Sequence, residues 1–371
     1  MAKIIVTAAK INVRSRVPDR LPSPAGITGT VVKGYTFDGT EVPADEVPNP
    51  DLGKWYRDGN GHFYWGGGVM EVGDNVPAAI AVNTGDVVDD SGIQQWMTDL
   101  QLTEIWKHAT GKGVGIAVVD TGISANNPDL VYNKNSFYVF DTSVSLLDTN
   151  GHGTHCAGLI SARNKNGNVI GAAPNCNLYV CKISEEGSLP EPETIRYAAA
   201  IDWCATQKNI HVISISWASF INDEGIISKI QASVNNAIKN NKVVVCAMGD
   251  ASQFNDPGPL YPSALSNTIG IGSIPVENVI YPYINNSLTT IIQGVDIPSY
   301  GLDNQIVKMT GTSQSNAILA GIISLIIEKK KFVYSPSEIK NILKSLSDIQ
   351  TFEGIEIPVL NGNLLLKYFQ S

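Results

Sequence analysis

Nowhere in the 371 residues is there an apolar run long enough to cross a bilayer, so no membrane span is expected. Basic clusters are missing as well. Lys and Arg number 26 against 35 Asp and Glu, and a net charge of −9 without a basic face argues against a nucleic-acid binder. Charged residues make up only 16% and hydrophobic ones 43%, which is the balance of a globular chain and not a disordered one. Cysteine is sparse. Cys156, Cys176, Cys181, Cys204 and Cys246 form no CxxC pair, and an odd count within apolar segments reads as free, buried thiols in a reducing compartment. The start, Met1-Ala-Lys-Ile-Ile-Val, lacks the basic region, long apolar segment and small-residue cleavage site of a secretory signal, so a cytoplasmic location is expected.

The length exceeds one ordinary core and predicts a large domain with a smaller companion. Short β-type segments broken by Gly, Pro and Asp fill residues 1–72, as in a small all-β barrel. Lys10-Ile-Asn-Val-Arg-Ser, Gly29-Thr-Val-Val-Lys-Gly, Trp55-Tyr-Arg-Asp and Tyr64-Trp-Gly-Gly-Gly-Val resemble bacterial SH3-like domains. That resemblance implies either a module that simply packs against its neighbour, or a ligand-binding one with Trp55, Tyr64 and Trp65 as contacts. Residues 73–94, with Asp74, Asp86, Asp89 and Asp90 and little apolar periodicity, read as an acidic linker.

From residue 95 to 371 apolar β-type runs alternate with helical patterns, the signature of a parallel sheet covered by helices on both faces. The runs at 115–119, 178–182, 212–216, 243–247 and 269–272 are the expected central strands. Helices are expected at 152–161, 192–207, 225–240 and from about 313 to 331, with Ser335-Pro-Ser-Glu starting another.

Three segments within this α/β region carry chemistry. Asp120 ends the strand Ile116-Ala-Val-Val-Asp, at the carboxyl edge where such sheets place their sites, although a turn-forming Asp has the same pattern. His152 lies between glycines at a helix start, in Asn150-Gly-His-Gly-Thr-His-Cys-Ala-Gly, which leaves room for the imidazole to approach a substrate. A metal pair with His155 has helical spacing, but it lacks an HExxH glutamate and a third ligand. Ser313, in Gly311-Thr-Ser-Gln-Ser-Asn, falls in the first turn of an apolar helix, where a nucleophile has unpaired N–H groups beside it and where an N-cap serine is also common.

Taken together and in this order, Val118-Val-Asp-Thr-Gly-Ile, Gly151-His-Gly-Thr-His-Cys-Ala-Gly and Gly311-Thr-Ser resemble the active-site blocks of the subtilase family. The resemblance runs from about Trp96 to the C-terminal helices. It implies a subtilisin-like fold and a serine endopeptidase acting on protein or peptide substrates. Ser313 would be the nucleophile, His152 the general base and then acid, and Asp120 the group that orients the imidazole. It further implies that Val212-Ile-Ser-Ile-Ser-Trp-Ala is an edge strand that pairs with substrate, and that Ser216, Trp217, Ala218, Met248, Gly249 and Leu260 line the substrate cleft. No cofactor is required. Many relatives hold calcium near the positions of Asp129 and the loop 163–169, and Lys165 stands here in place of an oxygen ligand.

Departures from the family pattern bear on rate. Asp250 occupies the place of the oxyanion asparagine, leaving the Ser313 N–H as the ordinary donor, and only a protonated carboxyl can donate. Gln314-Ser-Asn-Ala replaces the usual small residues after the nucleophile. Ala218 and Leu260 stand where relatives keep glycines, which implies a shallow pocket for the residue before the cut bond. The N-terminal module replaces a chaperone-like propeptide and implies autoinhibition or a separate ligand. A peptide-binding pseudoprotease is the competing expectation.

Overall fold

In the computed structural model the chain divides into two compact units, Met1–Gly85 and Asp86–Ser371. The structure describes residues 92–371 apart from 125–126, 134, 139–145, 165–167, 184–192, 251–258, 277–286 and 353. In the first unit it describes 2–6, 10–14, 27–32, 36–43, 46–47, 54–59, 62–65 and 69–72. The acidic segment 73–91 and Lys165 lie outside the described residues.

The first unit is all β. Strands β1 (Ala2–Val6), β2 (Lys10–Arg14), β3 (Ile27–Val32), β4 (Thr36–Glu41), β5 (Trp55–Asp58), β6 (Phe63–Trp65) and β7 (Val69–Val72) form one sheet in the order β3-β2-β6-β5-β4-β1-β7. Every pairing in it is antiparallel. Trp55 and Tyr64 are buried, and Trp55 packs with Val42, Val47 and Phe63. This corrects the expectation that these two aromatics are ligand contacts, because a ring enclosed on all sides has no face left for a partner. Their apolar area is spent on the small unit's core. The side chain of Trp65 lies outside the described residues.

The second unit opens with α1 (Gln95–Asp99) and α2 (Leu102–Ile105) and continues through β8 (Gly115–Asp120), β9 (Phe137–Tyr138), α3 (His152–Ser161), β10 (Asn177–Lys182), α4 (Glu193–Thr206), β11 (Val212–Ile215), β12 (Ser219–Phe220) and α5 (Glu224–Lys239). Next come β13 (Val243–Ala247), β14 (Leu260–Tyr261), β15 (Ile269–Ser273), β16 (Leu288–Ile292), β17 (Ile297–Tyr300), β18 (Ile306–Met309), α6 (Thr312–Lys329), α7 (Pro336–Ser345), β19 (Ser347–Phe352), β20 (Ile355–Leu360) and α8 (Gly362–Gln370). Nine strands form the main sheet, ordered β19-β20-β16-β15-β13-β11-β8-β10-β9. All neighbours in it run parallel except β19 and β20.

Strand periodicity explains why the runs are almost continuously apolar. Ile116 and Val118 of β8, with Val243 and Val245 of β13, face a core shared with α3 and α6. The intervening Ala117 and Val119, with Ile213 and Ile215 of β11, face α4 and α5. Both faces are thus covered, so alternation with polar residues is absent. α6 is apolar nearly all round and buried from Thr312 to Ile327 apart from Ser313, as a helix enclosed by other elements must be. Among the described residues no helix is long and apolar enough to cross a membrane.

The topology corrects one expectation. β11 is not an edge: it is paired with β13 on one side and β8 on the other. The ladder stops at Ile215, and the following Ser216–Ala218 lie outside any strand, with Trp217 and Ala218 half-buried.

Candidate active site

β8 delivers Asp120 to the carboxyl edge of the sheet, buried and accepting from the N–H of Thr121 at 2.8 Å. α3 starts opposite it. Gly151 turns the chain into that helix at φ 95°, a left-handed conformation that favours glycine. Gly153 lies so close to the turn after β8 that an added Cβ would fall 2.5 Å from the Gly122 carbonyl. With no side chain on either neighbour, His152 Nδ1 reaches Asp120 at 2.8 and 3.0 Å. Gly153 is therefore a condition of the contact, and Gly151 of the turn that leads into the helix.

Asp148, which the sequence reading missed, holds the two elements together. Its Oδ1 accepts from the Thr121 hydroxyl and the N–H groups of Asn150 and Gly151, each at 2.9 Å. Its Oδ2 accepts from the N–H of Thr154 at 2.9 Å and the Thr154 hydroxyl at 2.6 Å. Burial pushes this carboxyl up, but the donors from Thr154, Gly151 and Asn150 outweigh it and hold Asp148 below the usual carboxylate range. An Asp just upstream of a helix start is the one sequence signal that could have drawn attention to it.

The nucleophile candidate is placed by α6. Ser313 lies in the first turn, where backbone N–H groups have no intrahelical partner. Its hydroxyl donates to the Ser216 carbonyl at 3.0 Å, and no hydrogen bond joins it to His152. The Asp–His arm of the constellation is thus formed and the Ser–His arm is not. Such arms are often open before substrate binds. Ser216 Oγ in turn donates to the Ser313 carbonyl at 3.0 Å, and Asn316 Nδ2 reaches the hydroxyls of Ser214 and Ser216 at 3.0 and 3.2 Å.

Asp250 follows the end of β13 and is turned toward the start of α6, where its Oδ1 accepts from the N–H of Thr312 at 3.0 Å. Burial raises its pKa, opposed by the Thr312 hydrogen bonds and the charge of His152. Burial also works against the charged form of His152, but the Asp120 carboxylate prevails and holds that imidazole's pKa well above the ordinary value.

A cavity of about 230 Å³ is lined by Asp120, Thr121, Asn150, His152, Tyr197, Ser216 and Trp217. Tyr197 stacks on Trp217 with ring centroids 4.1 Å apart and 19° between planes. A single aromatic near the start of α4 carried no sequence signal. Leu260 is fully buried against Met248, with Ala218 beside them. Met248 itself is enclosed, with its sulfur 3.1 Å from where a Cβ on Gly270 would lie. Gly249 binds the Thr312 hydroxyl through its N–H.

His155 faces away from His152: its Nε2 lies 3.0 and 3.2 Å from the carbonyls of Ile297 and Val307, and burial, then the His152 charge, lowers its pKa to about 4. It packs the core and does not pair with His152 as a metal ligand. Asp129 is fully buried and accepts from the Tyr300 hydroxyl at 2.5 Å. Among the described residues, the group of three His, Cys, Asp or Glu side chains near enough to share an ion is Asp120, His152 and Cys156, which does not include Asp129.

A parallel sheet with a carboxylate–imidazole pair at its carboxyl edge, and a helix-borne serine bonded to the cavity-lining Ser216, is an arrangement of the serine-protease class of hydrolases. The Subtilase family model matches residues 111–354, and the chain belongs to that family. It is 29% identical to the major intracellular serine protease of Bacillus subtilis over 69% of this chain and 82% of that protein. Against subtilisin Savinase of Lederbergia lenta it is 30% identical, over 64% of this chain and 84% of that one. Of solved structures, the MycP1 serine protease of the type VII (ESX-1) secretion system shares the fold, with a TM-score of 0.63 at 21% identity over 75% of this chain and 89% of that one. The protein is a subtilisin-like serine endopeptidase.

Replacing Asp148 by Ala strands five donors and is expected to lower stability by about 3 kcal/mol at neutral pH. Because its folded pKa is depressed, the Asp148 contribution is present above the unfolded carboxylate value and lost as pH falls through the folded one. Guanidinium unfolding of parent and variant should therefore converge in acid, and an equal gap at all pH values would contradict this role.

Proposed function

We propose that this endopeptidase cuts peptide bonds through Asp120, His152 and Ser313, at a rate limited by the carboxyl of Asp250. The observation that carries the reading is the Asp120–His152 hydrogen bond opening onto the same cavity as Ser216 and Trp217. Substrate arrives extended along Ser216–Ala218. Ser313 Oγ leaves the Ser216 carbonyl, passes its proton to His152 Nε2 and adds to the scissile carbonyl. His152 then gives that proton to the departing amine, and water, activated in the same way, releases the acyl group. Asp120 stabilises the imidazolium throughout, and no cofactor enters these steps.

The oxyanion formed on addition meets the Ser313 N–H and the carboxyl of Asp250. As an acid Asp250 donates to it, and as a carboxylate it repels it. The cleft selects a small residue before the cut bond because Leu260 fills the position a larger side chain would take. The N-terminal unit is proposed to be an SH3-like module, spanning residues 1–72 ahead of a linker at 73–94 and the peptidase domain at 95–371. It either binds a separate ligand or restrains the protease. Five buried cysteines, an odd count, support a reducing, cytoplasmic setting.

The pH profile tests the oxyanion assignment. The Asp250 donor is present below its raised pKa and lost as pH rises through it, whereas His152 accepts a proton only above its own raised pKa. Activity of the parent should therefore pass through a maximum. Asp250→Asn keeps the acceptor for the Thr312 N–H and always donates, so it should abolish the alkaline fall and raise kcat roughly 10- to 100-fold at about pH 8. An unchanged profile would reject the assignment.

Specificity offers a second test. Leu260→Gly should shift preference before the cut bond from Ala toward Phe or Leu by at least about tenfold in kcat/KM, read on a peptide library. A parent already favouring large aromatics would overturn the shallow-pocket reading.

A further inference from the structure

β11 turns Ile213 and Ile215 toward α4 and α5, while Ser214 and, just past the strand, Ser216 are buried on its other side. Residues two apart share a face. Both hydroxyls meet Asn316 of α6, whose Nδ2 donates to Ser214 at 3.0 Å and to Ser216 at 3.2 Å. Asn316 is fully buried, and its Oδ1 has no hydrogen-bond partner among the described residues. An unmet buried acceptor costs stability, and a leucine of nearly the same shape would avoid that cost. What the amide contributes is its two donors. Ser216 Oγ has one proton and gives it to the Ser313 carbonyl at 3.0 Å, so toward Asn316 it can only accept. Ser313 Oγ in turn donates to the Ser216 carbonyl at 3.0 Å. Asn316 follows Ser313 by three residues, on the same side of the helix. The first turn of α6 and the segment after β11 are thus closed into a ring of bonds, with Asn316 as the donor that orients the Ser216 hydroxyl.

We propose that Asn316 is a positioning residue: by orienting the Ser216 hydroxyl it fixes Ser313 against the cleft wall. This rests on the proposed triad. Without the Nδ2 donor the Ser216 hydroxyl is free to turn from the Ser313 carbonyl, and the start of α6 loses the side-chain bonds that register it against Ser216. The nucleophile then spends less time where it reaches both His152 and a scissile carbonyl. Lost alignment of this kind slows the chemical step more than it weakens substrate binding. Asn316 itself is enclosed and acts only through Ser216, so the bonds made and broken in the acyl transfer are unchanged.

Asn316→Leu keeps the shape of the side chain and removes both donors. With a peptide that the parent cleaves, kcat should fall roughly tenfold while KM changes less than about threefold. Labelling of Ser313 by a small fluorophosphonate, which needs no peptide binding, should slow by a similar factor. Ser216→Ala should cause a loss of the same size, and the two substitutions together should cost no more than either alone, because they break one chain of bonds. A kcat within about twofold of the parent for either variant, with thermal unfolding showing that it folds, overturns the proposal. So does a double variant whose loss is the product of the two single losses, since Asn316 would then act by a route other than Ser216. If Asn316→Leu does not fold, Ser216→Ala decides by itself, as it deletes a single oxygen. A parent that neither turns over nor labels would instead sink the triad assignment on which this rests, so the two failures are distinguishable.

Discussion

Five hydrogen bonds to one carboxylate, that of Asp148, tie the turn after β8 to the first turn of α3. Asp120 comes from the sheet and His152 from the helix, and neither element alone would bring a carboxylate within 2.8 Å of an imidazole. The join is reinforced by Thr121 Oγ1, which accepts from the N–H of Gly153, and by Thr154 Oγ1, which accepts from the N–H of Ser124. Such a network is strong because each lone pair and donor within it is used, and because a carboxylate at a helix start also meets the positive end of the helix. The third participant enters from another direction, on α6, whose burial on nearly all sides fixes where its first turn lies.

The electrostatics of the cleft are built from two carboxyl groups in different circumstances. Asp120 is paired with His152 and favours the imidazolium that forms during catalysis. Asp250 is buried at the start of α6 with the Thr312 N–H as donor to one oxygen, which leaves burial as the dominant influence on its charge. In the proposed mechanism one group serves the reaction as an anion and the other only as an acid. That mechanism places the two under opposite demands from pH, a restraint that an asparagine at position 250 would not impose.

Much of the fold could be read from sequence because buried parallel strands and an enclosed helix leave long apolar runs, as at 115–120, 243–247 and 312–329. The chemistry was legible where backbone geometry demands glycine: Gly151 turns into the helix at φ 95°, and a Cβ on Gly153 would collide with the turn after Asp120. What escaped has a different physical origin. Asp148 and Tyr197 act through contacts distant in sequence, the first with Thr121 and the second with Trp217. β11 reads as an edge from the family resemblance, but its pairing on both sides is a property of strand order, which apolar periodicity does not encode. Trp55 and Tyr64 illustrate the general ambiguity of aromatics, which fill small cores as readily as they meet ligands.

The central claim is that Ser313 is chemically reactive in this setting, even though its hydroxyl rests on the Ser216 carbonyl in the free protein. Labelling with a fluorophosphonate, read by intact mass on the parent and on Ser313→Ala, tests it most directly. The account predicts one adduct per chain in the parent, mapped to the peptide containing Ser313, and none in the variant. No adduct on the folded parent between about pH 5 and pH 8, where a histidine changes charge, would contradict it and leave a protein that binds peptides without cutting them.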